Sequence, residues 1–240
     1  MSIQFDKVQP KNKAQLKSLI DYAFKHNIYD LNFIDTSEIT NMSWLFENVE
    51  HDFDVSSWDV SNVTYMNGIF NSCFKFKGKG LENWNVSNVT SMYSMFTACE
   101  NFEGKDLENW DVSKVTDMRH MFRLCKNFDC NLSNWNVYKV TDMSYMFNNC
   151  EQFNCNLSRW NVSKVKDMTS MFDGCKNFNC DLSNWDVSNV TDMYSMFTMC
   201  ENFKGKGLEN WNVSNTTNTR YMFAGCDKIT IPKWYKKYNF

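Results

Sequence analysis

Tryptophan recurs along this chain at Trp58, Trp84, Trp110, Trp135, Trp160, Trp185 and Trp211, at intervals of 26, 26, 25, 25, 25 and 26 residues. Superposing the intervals gives one apolar pattern, L-x-x-W-x-V-S-x-V-T-x-M-x-x-M-F-x-x-C-x-x-F. The copy opening at Leu132 fills its slots with Trp135, Val137, Val140, Met143, Met146, Phe147, Cys150 and Phe153. A degenerate copy from Leu31 to Val49 precedes Trp58, and the last copy, from Leu208, carries Thr216 and Thr219 where Val and Met are expected. A fixed period of this length marks a stack of equivalent units, each too small to bury its apolar groups alone, with atypical units at the ends. Eight copies of 24–26 residues therefore occupy residues 31–229, between a capping segment at 1–30 and a second cap at 230–240.

Within a copy the Trp-x-Val alternation predicts a short strand with one buried face. The 3, 3, 1, 3 spacing from Val140 to Cys150 predicts a helical or 3₁₀ return, with Thr116, Thr141 and their equivalents as N-caps. The fold class that follows is an α/β repeat solenoid, a leucine-rich-repeat-like right-handed coil. Its stacked strands would form a parallel sheet roughly 35–40 Å long. Ahead of the repeats, Lys11–Asn27 predicts an amphipathic helix with Leu16, Leu19, Ile20, Ala23 and Phe24 on one side. Behind them, Ile229, Ile231, Trp234 and Tyr235 are positioned to cover the last copy. Some copies are one residue longer, and the extra residue arrives with Gly78, Gly104 or Gly205, which places it in a surface turn.

Composition narrows the function classes. Hydrophobic residues make up 43% and charged residues 22%, a globular balance. The net charge of −3 argues against a nucleic-acid partner, because counterion release needs an excess of clustered cations. The basic runs Lys75–Lys79 and Lys233–Lys237 read as solvated faces. No stretch approaches the roughly 18–20 apolar residues of a spanning helix. The N-terminal MSIQFDKVQPKNK lacks the apolar core of a signal peptide, which gives a cytoplasmic expectation for the chain as it stands.

The segments WDVSNVTDMYSMFTMC (Trp185–Cys200) and FNCDLSNWDVSNVTDM (Phe178–Met193) are whole-motif matches to a known repeat. They resemble the 25–26-residue repeat of the BspA-type leucine-rich-repeat family of bacterial surface proteins and lipoproteins. KNKAQLKSLI and Ile34–Phe46 are similar to the start of such domains. The resemblance covers roughly residues 10–226. It implies a leucine-rich-repeat-like solenoid, a cell-surface location and, in several members, adhesion to partner proteins. It implies no enzymatic activity.

The candidate chemistry is sparse. Seven of the ten cysteines hold one slot of the apolar stripe, and Cys130, Cys155 and Cys180 hold a second. They read as a ladder of buried thiols rather than a disulfide framework or a zinc set. His26, His51 and His120 share no slot, and no nucleophile–base pair or phosphate-cradling loop stands out. Neither a catalytic centre, a metal nor a cofactor is expected. Asn and Asp flank each Trp on the outward strand face, where a ladder of amides or a concave binding surface would lie. Arg159 and Tyr138 interrupt those ladders. The candidate binding residues are Asn134, Asn136, Tyr138, Arg159, Asn161, Asn184 and Asp186. The expected function is that of a monomeric, non-enzymatic adhesion or interaction module for a protein or glycan partner. An intracellular regulatory, effector or immunity-type protein is the alternative.

Overall fold

The computed structural model describes residues 7–105 and 107–235; the outer parts of the two expected caps, residues 1–6 and 236–240, lie outside the described residues. Its organising event is the tight turn. In the fifth copy the N–H of Trp135 donates to Leu132 (3.1 Å), Val140 to Val137 (2.9 Å), Met146 to Met143 (3.1 Å), Cys150 to Phe147 (2.9 Å) and Phe153 to Cys150 (3.1 Å). Five inward residues are thus each tied by a tight turn to the apolar residue three positions before. The apolar spacing of three, read from the sequence as a helical stripe, is the period of these turns.

This corrects three expectations. Among the described residues the only α-helix is α1 (Lys13–Lys25), and 3₁₀ geometry occurs at Leu81–Asn83 and Leu208–Asn210, just before Trp84 and Trp211. The Met-Phe-Cys return is turned, not helical. The strand is also elsewhere: parallel pairing runs through Asn41, Tyr65, Ser91, Asp117, Asp142, Asp167, Asp192 and Asn218, each a single bridge, and not beside the tryptophans. The threonines preceding this column are not N-caps. The N–H and hydroxyl of Thr90, Thr116 and Thr141 all donate to the threonine carbonyl one coil earlier.

Coil-to-coil hydrogen bonding continues from the bridge into the return. Met92, Ser94, Phe96 and Ala98 donate to the carbonyls of Asp117, Arg119, Met121 and Arg123 in the next coil, at 2.7–3.0 Å. Between them the N–H groups of Met95 and Thr97 close the turns, donating to Met92 and Ser94. Such alternation needs a left-handed residue in each turn, as a type II turn does. Ser94 (φ 54°) and Ala98 (φ 60°) supply it, and the same two slots are left-handed in all eight coils, from Trp44 and Asn48 to Tyr221 and Gly225.

In the fifth coil polar side chains close three corners. Asn131, Asn136 and Asp142 each accept through Oδ1 the N–H two residues on, at 3.0–3.2 Å. These local Asx turns, not amide ladders along the stack, occupy the Asn and Asp that follow each Trp. Amide bonds between coils come from a different slot, where Asn62, Asn88, Asn189 and Asn215 donate to a serine carbonyl of the preceding coil at 2.8 Å.

The interior is built in columns. The indole N–H of Trp135, Trp160 and Trp185 donates to the leucine carbonyl one coil back, at 2.9–3.0 Å, so the rings are buried without an orphaned donor. Phe96, Phe122, Phe147 and Phe172 stack at 5.6–5.7 Å between centroids, and each pairs with a second phenylalanine of its own coil at 4.0–4.3 Å. Leu16, Ile20 and Ala23 of α1 are fully buried against the first coil, and Asn12 caps its start by accepting from Gln15. At the far end Trp234 continues the indole column, 6.4 Å from Trp211 and donating to Leu208. Gly104 has φ 80°, and a Cβ there would meet the Phe128 ring at 2.2 Å, so the long form of the repeat requires glycine at this turn.

Candidate functional site

Burying every third residue leaves the ribs between them as the surface. Around Trp135 the backbone alternates inward and outward, so Asn134 and Asn136 are exposed while Trp135 and Val137 are buried. Arg159 and Asn161 occupy the equivalent places one coil on and are exposed as well. These four line a shallow groove of about 300 Å³ together with Ser133, Trp135 and Val137. Asn136 and Asn161 spend Oδ1 on the backbone N–H of Tyr138 (3.2 Å) and Ser163 (3.1 Å), which turns their amide NH₂ groups outward as donors. Asn134 and Arg159 make no side-chain hydrogen bond among the described residues. The groove therefore offers amide and guanidinium donors over an apolar floor.

The other three predicted residues fall outside it. Tyr138, 43% exposed, stands under the Lys164 ammonium, which lies 4.1 Å from the ring centroid. Asn184 is committed to the Ser158 carbonyl (3.3 Å). Asp186 accepts from Ser188, and that hydrogen bond holds its carboxyl below the usual range. The face carrying these residues is not the bridge face, so the strand that was to make it a concave sheet is absent here.

A second surface was not found by sequence reasoning. Between the two methionines of each M-x-x-M, or their equivalents, lie two residues of which at least one faces outward in most coils, and in six coils one of them is a ring: Trp44, Tyr93, His120, Tyr145, Tyr194 and Tyr221. Trp44 approaches Tyr93 at 6.2 Å, Tyr93 approaches His120 at 5.7 Å, and His120 stacks on Tyr145 at 4.8 Å with planes 4° apart. The Arg119 guanidinium lies 5.2 Å over Tyr93. Alongside run the bridge residues Asp117, Asp142, Asp167 and Asp192. Arg119 pairs with Asp117 at 2.7 Å and reaches Asp142 at 3.7 Å. Burial raises the Asp142 carboxyl above its ordinary value, and the neighbouring Asp167 adds to the rise. Burial likewise lowers His120, with Arg123 and Arg119 contributing, so the imidazole in the strip is neutral at pH 7.

The cysteines are structural. All ten are buried and none is in a disulfide. Cys99, Cys150 and Cys175 donate to the phenylalanine carbonyl of the preceding coil at 2.9–3.0 Å. Burial pushes the Cys73 and Cys180 thiols up to about 12, and Cys155 and Cys226 to about 11, which keeps them protonated. Among the described residues no three His, Cys, Asp or Glu side chains converge as a metal site would require, and no helix is long and apolar enough to cross a membrane.

None of the curated proteins compared with this chain matches it. A solved structure titled "Crystal structure of TLR13-ssRNA13 complex" aligns over 92% of this chain at 11% identity with a TM-score of 0.33. The aligned part is 38% of that protein's chain. A family described as "Mycoplasma protein of unknown function, DUF285" matches three times, over residues 14–129, 90–206 and 120–237, overlapping spans of the kind an array of equivalent units produces. This chain, matched from residue 14 to residue 237, belongs to that family.

Proposed function

We propose that this protein is a non-enzymatic interaction scaffold of the BspA-type leucine-rich-repeat kind, a monomer that presents the ribbed exterior of its coils to a protein or glycan partner. The observation that carries the proposal is how completely the fold consumes its own chemistry. Every buried side-chain nitrogen and oxygen among the described residues has a partner, and the buried thiols are held protonated. What is left for function is outside, and the Asn134–Asn136–Arg159–Asn161 groove supplies unspent donors there. Adhesion at a cell surface is the use that fits the family resemblance. Ten buried cysteines outside any disulfide favour a second reading, a regulatory role in a reducing compartment.

The test is binding to an array of proteins and glycans, comparing wild type with the double variant Asn134→Ala, Arg159→Glu. Neither side chain supports the fold, so the variant should unfold like wild type. Loss of the array partners by tenfold or more supports the groove. Unchanged binding removes it, and a turnover activity on any partner removes the non-enzymatic reading.

A further inference from the structure

The bridge face carries three columns that advance one coil at a time, spaced by about 4.8 Å. The first is the bridge column with its four consecutive aspartates. The second, two residues on, includes Tyr93 and Arg119. The third is the left-handed slot occupied by Trp44, Gly68, Ser94, His120, Tyr145, Ser170, Ser195 and Tyr221. Gly68 lets the strip begin: a Cβ there would sit 2.1 Å from the Trp44 ring. The indole therefore lies along the stack over the glycine and reaches Tyr93, two coils away. Tyr145 ends this run of touching rings, because the next coil carries Thr169 and Ser170 in these columns; a separate pair, Tyr194 and Tyr221, follows at 5.7 Å from each other.

We infer that this strip, Trp44–Tyr93–His120–Tyr145 with Asp117, Asp142, Asp167 and Asp192 beside it, is a docking surface for an extended, polyproline-II-like polypeptide segment bearing Arg or Lys at every third residue. The inference rests on the interaction-scaffold reading, but on a different face from the Asn134–Asn161 groove. Three observations carry it. Rings of 39% (Trp44) to intermediate exposure form a ridge in which each ring touches the next, so the surface is fixed before a partner arrives. The carboxylates beside it are under-neutralised: Arg119 serves Asp117 and Asp142, while Asp167 has only its Asx turn to Thr169 among the bonds of the described residues. A cationic partner complements that column. The third observation is a match of repeats. A polyproline II helix advances about 9.3 Å in three residues, close to the roughly 9.6 Å of two coils. Cations three residues apart would then face Asp142 and Asp192, or Asp117 and Asp167. The apolar residues between them would lie against Tyr93 and Tyr145, also two coils apart. A β-strand repeats its facing side chains every 6.6–6.8 Å or so and falls out of step.

A glycan is the competing occupant, since sugars stack on ring faces. Here His120 and Tyr145 cover one another, and Arg119 covers Tyr93. The strip offers mainly edges and charge, which suits a cationic peptide better.

The repeats themselves supply clean variants. Asn occupies the bridge column at Asn41 and Asn218, where its Oδ1 makes the same turn bond as Asp. Asp142→Asn with Asp167→Asn thus removes charge and keeps the turns. Ser occupies the left-handed column at Ser94, Ser170 and Ser195, so His120→Ser with Tyr145→Ser removes rings at backbone angles serine already adopts. Fluorescence anisotropy of a labelled (Arg-Pro-Pro)₄ peptide with the full chain reads the result, with thermal melts confirming that the variants are folded. Expected are saturable binding that weakens with salt, none with (Glu-Pro-Pro)₄, and a tenfold or greater loss in each double variant. The Arg159→Glu groove variant should bind the peptide as wild type does. The inference is overturned if wild type ignores the peptide or if either folded double variant binds it unchanged. It is equally overturned if Arg159→Glu abolishes binding, which places the peptide in the groove, or if cellohexaose binds in the peptide's stead and the ring variant abolishes that.

Discussion

Ala98 holds φ at 60° with its side chain buried, a conformation that L-residues adopt at a cost of about 1–2 kcal/mol. Glycine relieves that cost but enlarges the unfolded ensemble by somewhat less. Ala98→Gly is therefore expected to raise the melting temperature by a few degrees, whereas Gly174→Ala, at φ 76° with Asn149 Oδ1 2.5 Å from the added carbon, should lower it. The thiols make an equally local case. Cys150→Ala deletes the bond to the Phe122 carbonyl and leaves a small void, at a cost of about 1–3 kcal/mol in chemical denaturation. Two carboxylates act in opposite senses. Burial alone would raise Asp54, but the Lys79 ammonium and the Ser56 hydroxyl hold it well below its ordinary 3.8. Its stabilisation is complete above pH 3.8 and is lost as the pH falls below that value, so the acid limb of a stability profile should flatten in Asp54→Asn. Asp142 is raised, so its contribution is full below pH 3.8 and lost as the pH climbs through its folded value; Asp142→Asn should stabilise the protein at pH 7.

The coil was legible in the sequence as a period and a set of inward residues, and those residues are buried from Leu31 to Cys226, save Val213, Thr216 and Thr219 of the last copy, which are half-buried. The conformation between them was not. A spacing of three is shared by a helical stripe and by successive three-residue turns, and the difference lies in left-handed residues that only two or three copies mark with glycine. Tyr145, Leu124 and Met199 occupy such angles without any sequence signal. Trp-x-Val alternates as a strand would, yet Trp135 is turned back on Leu132 and its indole, not its backbone, reaches the preceding coil. The polar groove was readable because Arg159 breaks a uniform ladder. The aromatic strip was invisible for the opposite reason: the two residues inside M-x-x-M differ from coil to coil, and superposing copies erases them.

At the scale of the whole molecule each coil contacts chiefly its two neighbours, so stability is close to a sum of coil terms and interface terms. Removing residues 157–181, one complete coil, joins Asn156 to Leu182 in the same register that Asp181 has now. That shortened chain is expected to fold, with buried-indole fluorescence retained and a lower melting point, whereas excising twelve residues from within the same coil should abolish the cooperative transition. The thermal melts of the two proteins decide the matter.

Because seven coils each bury one thiol against the phenylalanine carbonyl behind it, from Cys73 to Cys226, the chain contains a reporter at nearly every rung. A sulfhydryl reagent can reach a given sulfur only when that rung parts from its neighbour. Timed alkylation followed by peptide mapping would then read out where the column opens first, and separate fraying at the ends from rupture in the middle, with no label added to the protein.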